Sequence, residues 1–145
     1  MKKYFLTIAV VAMGVFTATA QENPNAPVIE FEATTIDYGT IEQGADGRRE
    51  FVFSNSGQEP LVIKNAKGSC GCTVPTWSKN PLASGESGSI KVKYDTRRIG
   101  AFVKYVTVTS NAKNKNVRLT IKGTVNKKAV EPKASLEPEK SKVAR

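Results

Sequence analysis

Apolar residues recur at every second position through most of the middle of this chain. Phe51 and Phe53 in REFVFSN, Leu61 and Ile63 in PLVIKN, Ile90, Val92 and Tyr94 in GSIKVKYD, and Leu119 and Ile121 in VRLTIKG all keep this spacing. Side chains alternate across an extended strand, so the pattern marks strands with one buried and one wet face. No window carries the apolar stripe of an amphipathic helix. The strings DYGT, GADG, NSGQEP, LASGESG, RRIG and SNAKNKN supply turns between the runs. About seven strands are predicted, near 28–33, 36–41, 48–54, 60–66, 87–95, 101–110 and 116–125. The fold class expected is all-β, an immunoglobulin-like β-sandwich over 28–126. In GAFVKYVTVTS the residues Phe102, Val103, Tyr105, Val106 and Val108 do not share one parity. A bulge or bend near Val103 would reconcile them.

The ends of the chain read differently. MKKYFLTIAVVAMGVFTATA places two lysines before an apolar run and closes on Ala18-Thr19-Ala20. This is the pattern of a signal peptide over 1–20, cleaved after Ala20. The run is too short to span a bilayer, and no cysteine follows it for lipid attachment, so no stable membrane anchor is expected. Residues 21–27 form a short extension. Residues 127–145 carry six Lys or Arg, three Asp or Glu and two prolines without an aromatic, which predicts a disordered basic tail. The expected location is the periplasm or the exterior.

Composition closes most catalytic routes. The chain has no histidine, and Met1 and Met13 both lie in the predicted leader. Serine and cysteine nucleophiles paired with an imidazole base are therefore excluded, as are His-containing zinc and Met/His copper sites. The S-x-x-K string at Ser110–Lys113 falls in an Asn/Lys-rich turn, outside the setting in which that motif is catalytic. Glu30 and Glu32 share a strand face with nothing to mark a cleft around them. No enzyme activity and no cofactor are expected. Without Lys2 and Lys3 the basic residues number 22 − 2 = 20 against 13 acidic ones, a net charge of +7. Export argues against nucleic acid as the partner of that charge. It reads as a solvated basic surface, with weak attraction to anionic envelope polymers or lipid head groups as the other reading.

The chemically distinctive string is AKGSCGCTVPTW, which holds both cysteines of the chain, Cys70 and Cys72. On an extended strand both would face the same side. Three readings stay open: a small disulfide that pins a turn after the preceding strand, a strained redox bridge with Lys64 and Lys67 near it, and a Cu(I) site of two thiolates. Trp77 stands in TVPTWSKN, read as a loop, and is either a lid over the sandwich or an exposed anchor. Together with Arg97 and Arg98 it marks the candidate binding end.

The strings FVFSNSGQEPLVIKNAKGSCGCTVPTW, PLASGESGSIKVKYDTRRIGAFVKYVTVTSN and LTIKGTV resemble the bacterial domain-of-unknown-function family 1573. Its F-x-F-x-N-x-G-x-x-P-L-x-I segment, S-C-G-C-T motif and G-x-F-x-K step are matched here, with Ser84 where proline is common. The resemblance extends to the sandwich superfamily of major sperm protein, hydin-type domains and pilus chaperones. It implies a seven-stranded sandwich and no established activity. The function expected is a non-enzymatic adaptor that binds an envelope protein or polymer, with thiol exchange or soft-metal binding through Cys70 and Cys72 as the alternative.

Overall fold

A computed structural model describes residues 22–129. The leader predicted over 1–20 and most of the predicted tail lie outside the described residues. Among the described residues eight strands form: β1 (Ile29–Phe31), β2 (Thr35–Glu42), β3 (Arg48–Asn55), β4 (Ile63–Gly68), β5 (Thr73–Trp77), β6 (Ser87–Tyr94), β7 (Gly100–Ser110) and β8 (Asn116–Asn126). They make two four-stranded sheets, ordered β1-β3-β6-β5 and β2-β8-β7-β4. The predicted alternation supplies the facing surfaces. Phe51, Phe53, Ile90 and Val92 of the first sheet are buried together with Val106, Val108, Leu119, Ile121 and Val125 of the second.

Two expectations are corrected. The TVPTW segment is a strand, not a loop, so the count is eight rather than seven. A proline is tolerated there because β5 is the last strand of its sheet. The mixed parity in β7 also needs no bulge near Val103, because its ladder with β8 runs unbroken from Gly100 to Thr109. Phe102, Val106 and Val108 point inward, while Val103 and Tyr105 stand on the outer face, 52% and 39% exposed.

The sandwich protects its edges. β1 has only three residues. β2 runs parallel to β8 and breaks register between Asp37 and Thr40, where Gly39 takes a φ of 62°. That left-handed turn suits glycine and bends the edge away from a straight template. On the opposite side the β4 ladder shifts register between Ile63 and Asn65, and the Trp77 indole N–H donates to the Ile63 carbonyl at 3.3 Å. Just before β5 the Asp95 N–H donates to the Cys72 carbonyl. Alternation along an antiparallel ladder then places Pro75, which has no N–H, on the outward side.

Three asparagines tie down one end. Asn55 is fully buried, and its Oδ1 accepts the N–H groups of Val28 and Gly57 while its Nδ2 donates to the carbonyls of Glu59 and Leu82. Asn111 bonds both Val62 and Pro60, and Asn114 exchanges two bonds with the Ile29 backbone. These amides replace sheet hydrogen bonds where the chain turns.

Candidate functional site

The opposite end is built around the two cysteines. β4 belongs to one sheet and β5 to the other, so the chain between them crosses the sandwich. It does so in a tight turn in which the Thr73 N–H donates to the Cys70 carbonyl at 3.2 Å. A side chain at Gly68 would collide with the Thr73 carbonyl, which explains a glycine at the last position of β4. Cys70 and Cys72 are joined to each other, with Cα atoms 5.2 Å apart. Cys72 is 4% exposed and belongs to the core, and Cys70 packs against it. Both sulfurs lie 3.7 Å from the Thr73 hydroxyl. The crossover is anchored to both sheets: the Ser69 N–H donates to the Tyr105 carbonyl at 2.8 Å, and the Asp95 N–H donates to the Cys72 carbonyl at 2.9 Å.

Two further segments complete this end. In the β2–β3 turn the Ala45 carbonyl accepts the Thr96 hydroxyl at 2.7 Å, and the Gly47 carbonyl accepts the Tyr38 hydroxyl at 2.8 Å. Tyr38 sits edge-on to both Tyr94 and Phe102, which stack 3.9 Å apart, and the Arg49 guanidinium lies 4.2 Å above its ring. Burial raises the Tyr38 phenol to about 12. In the β6–β7 loop Arg97 grips Asp95 with two side-chain bonds of 2.8 and 3.2 Å. Those bonds and the Arg97 backbone N–H hold the Asp95 carboxyl below its usual range. Arg98 lies farther from the same carboxylate, at 3.9 Å.

An open depression of about 690 Å³ joins these parts, lined by Gly71, Cys72, Arg48, Lys93, Asp95 and Arg97 among others. Cys72 and Arg97 therefore share a surface. Trp77 does not, because it lies at the far end of β5, five residues beyond Cys72 and ~17 Å away at strand rise. It is half-buried and covers the β4–β5 side, so the single binding end expected from Trp77, Arg97 and Arg98 divides into two places. A second depression of about 630 Å³ covers the outer face of the first sheet over Arg48, Glu50, Val74, Thr76, Lys91 and Lys93. Sequence reading missed Lys91, Lys93 and Val74. Their alternation was legible, but which strands lie beside β6 was not.

Known proteins place this architecture. The family model described as "Protein of unknown function (DUF1573)" matches residues 29–125. No curated protein matches. Among solved structures, a protein of unknown function from Porphyromonas gingivalis W83 superposes with a TM-score of 0.64 at 15% identity, over 72% of this chain and 50% of that one. The ASH / PapD-like domain 7 of human CEP192 gives 0.57 at 12% identity, over 86% of this chain and all of the domain. The secreted serine protease VesC from Vibrio cholerae gives 0.53 at 16% identity, over 68% of this chain and 23% of the protease. At these identities the likeness is one of fold, and the chain spans half or less of the first and last of these proteins. The S-C-G-C-T motif, the eight-stranded immunoglobulin-like sandwich and the family match agree: the chain belongs to the DUF1573 family.

Proposed function

We propose that this chain is an exported, non-enzymatic immunoglobulin-like adaptor of the bacterial envelope, acting in the periplasm or outside the cell. The supporting observation is the position of the cysteine pair. It staples a crossover that is hydrogen-bonded to both sheets, with Cys72 in the core, as expected for a clip rather than an exchange centre. Binding then falls to the outer faces, since all four sheet edges are short, bent, capped or lacking a donor.

The thiol alternative keeps one point in its favour: Gly71 is exposed and Cys72 borders a depression that also holds Lys93 and Arg97. Trapping in the native compartment separates the two readings. A Cys72→Ala chain leaves Cys70 unpaired and would accumulate mixed disulfides with substrates if exchange were its role. The adaptor reading expects no such set of adducts. It also expects the double variant Cys70→Ala, Cys72→Ala to keep the same non-covalent partners.

A further inference from the structure

The outer face of the first sheet carries charge that the fold does not use. The ladders align Val74 with Lys93 and Lys93 with Arg48, and in the next outward row Thr76 with Lys91 and Lys91 with Glu50. Lys93 and Arg48 thus stand directly opposite one another, an arrangement that destabilises a sheet. Among the described residues the ion pairs are those of Asp95 with Arg97 and Arg98 and of Asp37 with Lys122, so Arg48, Lys91 and Lys93 belong to none. Val74 sits among these cations at 54% exposure. The depression over this face shares Arg48, Val74 and Lys93 with the one beside the cysteine turn, so the two form one track ending at Gly71 and Arg97.

From this face we infer an acidic polypeptide as the partner: an extended segment with carboxylates on alternate residues and an aliphatic side chain among them. The inference rests on the adaptor reading and names its partner class. Lys91 and Lys93 are two residues apart on one face, ~7 Å along the strand, which matches the spacing of alternate side chains in an extended ligand. Val74 and the aliphatic stems of the lysines provide an apolar floor for one ligand side chain. Among the described residues the face has no aromatic to stack on a sugar ring, and its exposed apolar group, Val74, is a single small side chain set among cations, too little to anchor in a bilayer. Pro75 denies the ligand a backbone donor at the edge, so the segment lies across the face rather than extending the sheet.

The test uses the mature chain and a synthetic peptide of glutamates with a central leucine, titrated at low and physiological salt. The native chain binds it, more weakly as salt rises. Arg48→Glu with Lys93→Glu lowers the affinity roughly tenfold or more. Lys64→Glu with Lys67→Glu, the same charge change on β4, lowers it less than about threefold. Val74→Ala weakens the leucine peptide and leaves an all-glutamate peptide unchanged. Equal losses in the two charge variants, or no binding at low salt, would overturn the assignment. So would tighter binding of phosphatidylglycerol vesicles or of a polyuronate through the same residues. A photo-crosslinker at Val103 that traps an envelope protein, with none trapped at Val74, would sink this face and leave the adaptor reading standing.

Discussion

Arg48 and Lys93 are direct cross-strand partners on the outer face of the first sheet, cation against cation. Lys93→Glu converts this repulsive pair into an attractive one. It should raise stability by about 0.5 kcal/mol, seen as a higher urea midpoint at unchanged slope. The same change weakens the acidic peptide. A gain in stability with a loss of binding is the expected signature of a face kept for a partner; a loss of both would mean that the pair is structural.

The cysteine staple closes a very short loop. Chain entropy assigns such a loop about 1.5 kcal/mol. Reducing the folded protein, without any substitution, should lower its urea stability by that amount and leave the far-ultraviolet dichroism of a β-sandwich intact. Unfolding on reduction would show that the crossover depends on the bond far more than on its links to Tyr105 and Asp95.

Asn55 is the opposite case, a single side chain on which four backbone groups depend. Asn55→Ala leaves those of Val28, Gly57, Glu59 and Leu82 without their amide partners and should cost about 3 kcal/mol in denaturant unfolding. Asn114→Ala removes two bonds to Ile29 and should cost less.

Alkaline unfolding should report Tyr38. Its phenol ionises near 10 when unfolded and near 12 when folded, because burial disfavours the phenolate. The unfolded chain loses that proton first. Stability contributed by the neutral phenol is thus complete below pH 10 and is lost as pH climbs toward 12, by up to about 3 kcal/mol. Urea midpoints at both ends of this window, compared with those of Tyr38→Phe, isolate the effect: the variant should lose less than the native chain.

Much of this architecture was legible because a sandwich strand carries its burial pattern locally. Phe51 and Phe53, or Ile90 and Val92, declare their faces within a few residues. β5 was hidden because Pro75 argues against a strand unless the strand is known to lie at an edge, which depends on residues far away. β7 was blurred because Val103 and Tyr105 are apolar yet point outward. The cysteine turn was visible as a motif, but its meeting with Arg97 required the β5–β6 register. Lys93 facing Arg48 was hidden for the same reason: each lies in an unremarkable basic string, and only the ladder makes them neighbours.

The parallel ladder between β2 and β8 also governs when the domain can form. Among the described residues β2 is the second strand in chain order and β8 the last, and β2 pairs with β8 alone. A chain emerging from its N-terminus must hold β2 unpartnered until nearly all of the domain is available, then close a very long loop at once. Completion of the second sheet is thereby deferred to the end of delivery. On the exported reading proposed above, that delay keeps β2 and β8 apart while the chain is threaded through the membrane.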